Sequence, residues 1–158
     1  MPKTKLQNVF FTIMMAFLMV YAMICYNISL SIGGMTNQVF LMAFGEMKIM
    51  WPVAIILEFF VVEKLASMLA FRIVSPQDKP LFITLAISSM IVCLMCPMMS
   101  FFATLFFKHA GNQFIAVWLQ TTFMNFPVAF FWQLIYAGPI VRFIFRHIFP
   151  EKEDAKEA

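Results

Sequence analysis

A chain of 158 residues that is 63% hydrophobic and 12% charged lies far from an ordinary soluble domain, which is roughly 45–50% apolar and about 25% charged. A fold of this size has too much surface for its volume to hide 21 Phe and 15 Met from water, so a bilayer is the natural solvent. The net charge of +3 is too small and too scattered for a nucleic-acid partner.

The basic start around Lys3 and Lys5 has the character of a signal sequence. The apolar run behind it is too long for a cleaved signal, and no Ala-x-Ala site closes it. Ile24, not a small residue, precedes Cys25, which argues against lipoprotein cleavage. An uncleaved first transmembrane helix over residues 9–30 is therefore expected. A spanning helix needs about 20 apolar residues. Residues 39–62, 81–107 and 114–136 supply three more, and only the first of these carries internal charges. Residues 31–36, with Gly33 and Gly34, and 108–112, with Gly111, read as short turns between antiparallel helices. The polar, Pro-bounded stretch 75–80 divides the chain, and residues 151–158 form a charged tail expected to be mobile.

Asn-Gln, thirteen residues, then Pro-Val-Ala occurs twice, from Asn37 to Ala54 and from Asn112 to Ala129, 75 residues apart. Such self-similarity means that one supersecondary unit has been used twice. The fold class expected is all-α: an integral membrane bundle of four transmembrane helices from two tandem hairpins, 1–75 and 76–150, followed by the tail. With the N-terminus inside, nine basic residues fall on the cytoplasmic side and only Lys48 and Lys108 outside. Both termini are therefore expected in the cytoplasm. The repeats then share one orientation, related by an axis along the membrane normal.

Residues 65–74 and 140–149 each combine apolar side chains with one or two basic ones. Read functionally they are interfacial extensions that set Arg72, Arg142 and Arg146 against anionic headgroups. The plainer reading is helix overrun with snorkelling basic side chains.

The Pro2-Lys3 start, the Met-rich first helix, the two Pro-Val-Ala motifs and the run from Gly138 to Arg142 resemble a bacterial family of unknown function built from paired transmembrane helices, sometimes doubled. The resemblance covers residues 2–149 and implies a multi-pass bacterial inner-membrane protein, with no activity or site attached. The small proteobacterial drug-efflux family also doubles helix pairs, but it relies on an acid in its first helix. Residues 9–30 contain none.

Charged groups within a span cost about 2.5–3.5 kcal/mol on insertion scales, so each is a candidate functional group. With the second helix beginning at Val39, Glu46 lies roughly 10 Å in and Glu58 near the cytoplasmic boundary. Asn27, Ser100, Gln120, Thr121 and Asn125 share the outer half with Glu46 and Lys48, and Thr121 is the repeat counterpart of Glu46. Glu46 and Lys48 stand about 200° apart on the helix and do not pair. Glu58 and its counterpart Gln133 form an inner-side polar pair. The functional reading is an outward-facing polar cavity for a cation or protonatable solute; the plainer one is interhelical hydrogen bonding and a snorkelling Lys48. Pro52, Pro97 and Pro127 offer kinks, and Asn125 could cap a carbonyl freed by Pro127.

Cys93 and Cys96 with their neighbouring methionines have the softness for Cu(I), but no His accompanies them and Met is abundant throughout. His109 and His147 fall on opposite sides of the membrane. No metal site, cofactor or catalytic constellation is expected, so the protein is not read as an enzyme. The leading expectation is an inner-membrane protein that binds or transports a small solute; the competing one is a scaffold or assembly partner. Lipid, a small solute and a second copy of the chain are the partners considered.

Overall fold

The structure, a computed structural model, describes residues 4–150. The charged tail 151–158 lies outside them. The described residues are helical, without strands, and form four long rods. The first is α1, Lys5–Ile32. The second runs from α2, Asn37–Leu57, through a π-helical turn, Glu58–Val62, into α3, Glu63–Ala70. The third is α4, Pro80–Phe107. The fourth joins α5, Phe114–Phe131, through a second π turn, Trp132–Ala137, to α6, Gly138–Ile148.

Local chemistry sets the ends of these rods. Thr4 accepts a hydrogen bond from the Gln7 amide at 3.3 Å, which satisfies an orphan donor of α1. Gly33 closes α1 with φ of 82°, a left-handed position that glycine adopts without strain. Pro80 occupies the first turn of α4, where its missing N–H costs nothing. In the linker, the Ser75 amide donates to Asp78 Oδ2 at 2.7 Å and the Asp78 amide to the Ser75 carbonyl at 3.0 Å, so the divider between the repeats is itself a turn. Both π turns lie beyond the prolines, and the helices continue through Pro52, Pro97 and Pro127.

The buried faces explain the π turns. In the fourth rod Asn125, Ala129, Gln133, Ala137, Val141 and Phe145 form a buried stripe with a spacing of four, and Gly138 is buried beside it. The stripe's counterparts 75 residues earlier are Met50, Ala54, Glu58, Val62, Ala66 and Ala70, and all of these but the half-buried Glu58 are buried. A four-residue step overshoots an α-helical turn by about 40°, so such a stripe drifts around the helix. A π turn takes in one extra residue and rotates the rest of the rod back by about 100°, which keeps the stripe facing inward. The same device sits at the same place in both repeats.

The four rods form a ring. The first packs on the second and fourth, and the third packs on the same two. Three of them, Lys5–Ile32, Pro80–Phe107 and the fourth rod over Gly111–Ile148, are long and apolar enough to cross a membrane. The second carries Glu46, Lys48, Glu58, Glu63 and Lys64 and completes the bundle beside them. Outward-facing Phe60 and Phe123 are each 76% exposed, a surface suited to lipid tails. Residues 65–70 and 140–148 continue the second and fourth rods without a break, as helix overrun requires.

Candidate functional site

A cavity of about 610 Å³ runs down the middle of the ring and is lined by all four rods. Along α1 it extends from Asn8 to Asn27, about 28 Å at 1.5 Å per residue, close to the thickness of a bilayer core. Its mid-section is apolar and rich in thioethers, with Met15, Met19 and Met23 from α1 facing Met95 and Met99 from α4. Unbranched methionines re-pack easily, so such a wall adapts to the shape of what it meets.

Polar groups collect towards both ends. At the hairpin-turn end the cavity is lined by Asn27, Glu46 and Ser100. Asn27 Nδ2 donates to the Met23 carbonyl at 2.9 Å and so is satisfied within its own helix. Asn125 Nδ2 donates to Ser100 Oγ at 3.4 Å, linking the third and fourth rods, while Asn125 Oδ1 is buried without a partner. The Asn125 side chain thus reaches across to α4; it does not cap a carbonyl freed by Pro127. Glu46 lies within electrostatic reach of Lys108, whose Nζ donates to Thr121 Oγ1 at 2.8 Å. Two further expected members turn away: Lys48 and Gln120 are exposed and do not line the cavity. Thr121 is buried against Lys108 and the Val117 carbonyl, outside the cavity wall.

At the linker end Glu58 and Gln133 both line the cavity, together with Glu63, Arg142 and Arg146. Asn8 Nδ2 donates to Glu63 Oε1 at 2.9 Å, tying the first rod to the second. Arg142 is half-buried in the cavity wall and Arg146 exposed at its edge, whereas Arg72 is exposed and stands apart from it. Polar groups therefore line the cavity at the linker end as well as at the hairpin-turn end. Asn8, Glu63, Ser67 and Ser88 are lining residues beyond those singled out in the sequence. The signal that could have found Glu63 and Ser67 is their i, i+4 spacing on one helical face.

Between the third and fourth rods, Trp118 Nε1 donates to the Pro97 carbonyl at 2.9 Å and Cys96 Sγ to the Thr122 carbonyl at 3.7 Å. Cys25, Cys93 and Cys96 are free thiols. Among the described residues, no group of three His, Cys, Asp or Glu side chains is placed to hold a metal ion.

The family model described as "Domain of unknown function (DUF2798)" matches residues 4–74 and, a second time, residues 80–149. The "Uncharacterized protein YybC" of Bacillus subtilis (strain 168) is 33% identical over 149 residues, covering 92% of this chain and 92% of its own length. No solved structure matches. The two matched segments coincide with the two helical hairpins, so the chain belongs to the DUF2798 family, as two tandem copies of its domain.

Proposed function

We propose that this protein binds a small solute inside the bilayer and passes it along the central cavity, in a bacterial inner membrane with both termini in the cytoplasm and without catalysing a reaction. The observation that carries this is that Glu46 and Glu58, twelve residues and so about 18 Å apart on one rod, line the same continuous cavity. Ionisable groups kept within a membrane bundle are costly, and they mark solute and ion pathways. The orientation rests on the nine-to-two distribution of basic residues, of which the linker end of the cavity carries Arg142 and Arg146.

The test is a thermal-shift screen of the detergent-purified protein against amines, organic acids, amino acids and metal ions. Native-state binding raises apparent stability. At least one solute class should stabilise the protein, and Ala129→Phe, which fills the cavity, should abolish the effect. A protein indifferent to every class would contradict solute binding and favour a scaffold.

A further inference from the structure

We propose that the linker end of the cavity is a binding site for a zwitterion, with Glu58 taking its ammonium group and Arg142 its carboxylate or phosphate. This rests on the solute-binding reading above and names the ligand chemistry.

Glu58 comes from the second rod and Arg142 from the fourth, and both line the cavity. Neither side chain makes a hydrogen bond or ion pair with another described residue. The charge that Glu58 feels is Glu63, another acid on its own rod, and the charge that Arg142 feels is Arg146, another base on its own rod. Acids thus line one wall and guanidinium groups another, without neutralising each other. Glu63 is engaged by Asn8 and Arg146 is exposed, which leaves Glu58 and Arg142 as the half-buried charged side chains of this end without a partner among the described residues. Gln133 also lines this end; its relative exposure is 3%, and its side-chain amide hydrogen-bonds no other described residue. Its amide offers both a donor and an acceptor.

Buried polar groups nearly always find partners, and an unpaired buried charge is more costly still. A monocation would match Glu58 and leave Arg142 unanswered; a monoanion would do the reverse. A single molecule carrying both charges answers both and adds no net charge to the bundle. The methionine-lined section beyond leaves room for an apolar substituent. A free amino acid and an ethanolamine phospholipid headgroup share this chemistry.

The experiment is isothermal titration calorimetry on the full-length protein in detergent. The probes are L-leucine, isoamylamine and 4-methylpentanoate, which keep one carbon skeleton with both charges, the cation alone or the anion alone, together with lysophosphatidylethanolamine. At least one zwitterion should bind roughly 30-fold or more tightly than either single-charge analogue. Binding of leucine identifies a free amino acid as the ligand; binding of the lysolipid alone identifies the headgroup. Glu58→Gln should weaken the zwitterion by a similar factor and leave 4-methylpentanoate unchanged, and Arg142→Gln should do so while leaving isoamylamine unchanged. If a variant fails to fold, the comparison of the four probes on the unaltered chain still decides. Single-charge analogues that bind as tightly as the zwitterions overturn this inference and leave solute binding standing. If the zwitterions are silent, the inference falls; if the wider solute screen is silent too, both fall.

Discussion

Lys108 Nζ donates a 2.8 Å hydrogen bond to Thr121 Oγ1 and also interacts electrostatically with Glu46. Thr121 and Glu46 are the same position of the two repeats, 75 residues apart. One cation, at the turn of the second hairpin, therefore joins equivalent sites of both repeats at one end of the cavity. The two copies differ here: the first carries an acid and the second a hydroxyl.

Thr121→Val removes the acceptor and keeps the shape. Because Lys108 can recover water, the loss should be about 1 kcal/mol, seen as a lowered melting temperature in detergent. Thr121→Ser should retain the stability of the natural chain.

The Asn8–Glu63 contact holds the first and second rods together at the opposite end. Asn8→Ala should cost about 1.5–3 kcal/mol, the range for a hydrogen bond to a charged group. Asn8→Asp should cost more, because it sets two acids against each other. Thermal unfolding of both variants checks the order.

Trp118→Phe separates a hydrogen bond from aromatic packing. It removes the donor to the Pro97 carbonyl and preserves a ring near Phe101, whose centroid lies 5.9 Å from that of Trp118 at 88°. A loss of about 1 kcal/mol is expected, and Trp118→Ala should lose considerably more. Equal losses would mean that the hydrogen bond alone matters there.

The helices, their turns and the doubling of the unit were legible because they rest on local rules. Gly33 closes a helix, Pro80 opens one, and the Pro-Val-Ala motifs set the repeat in register. The reach of the cavity was harder to see. Glu58 reads as a boundary residue if the helix stops near Val62, but the rod continues to Ala70 and leaves Glu58 inside. The π turns have no residue signature of their own; only the unbroken four-residue spacing of the buried stripe betrays them. Lys48 and Gln120 face outward because of where the neighbouring rods stand, which helical periodicity alone does not fix. Arg142 looks like a headgroup contact in isolation and becomes a cavity residue once the fourth rod is seen to continue unbroken.

Reporter fusions after Gln77 and at the carboxy terminus should both report the cytoplasm, since each lies beyond an even number of crossings. Opposite locations would mean that the third or the fourth rod does not cross the membrane, and two outside locations that the second does not.

The central claim is that a solute pathway runs through the bundle. Its most direct measurement is thiol modification in cells, with Cys25, Cys93 and Cys96 replaced and single cysteines introduced at Ser88 and Ser100, both of which line the cavity. Phe123→Cys, on the exposed outer surface, is the control. The Ser88→Cys and Ser100→Cys proteins should react with a small water-soluble methanethiosulfonate, and the control should not. Unreactive cysteines at both positions would contradict the account.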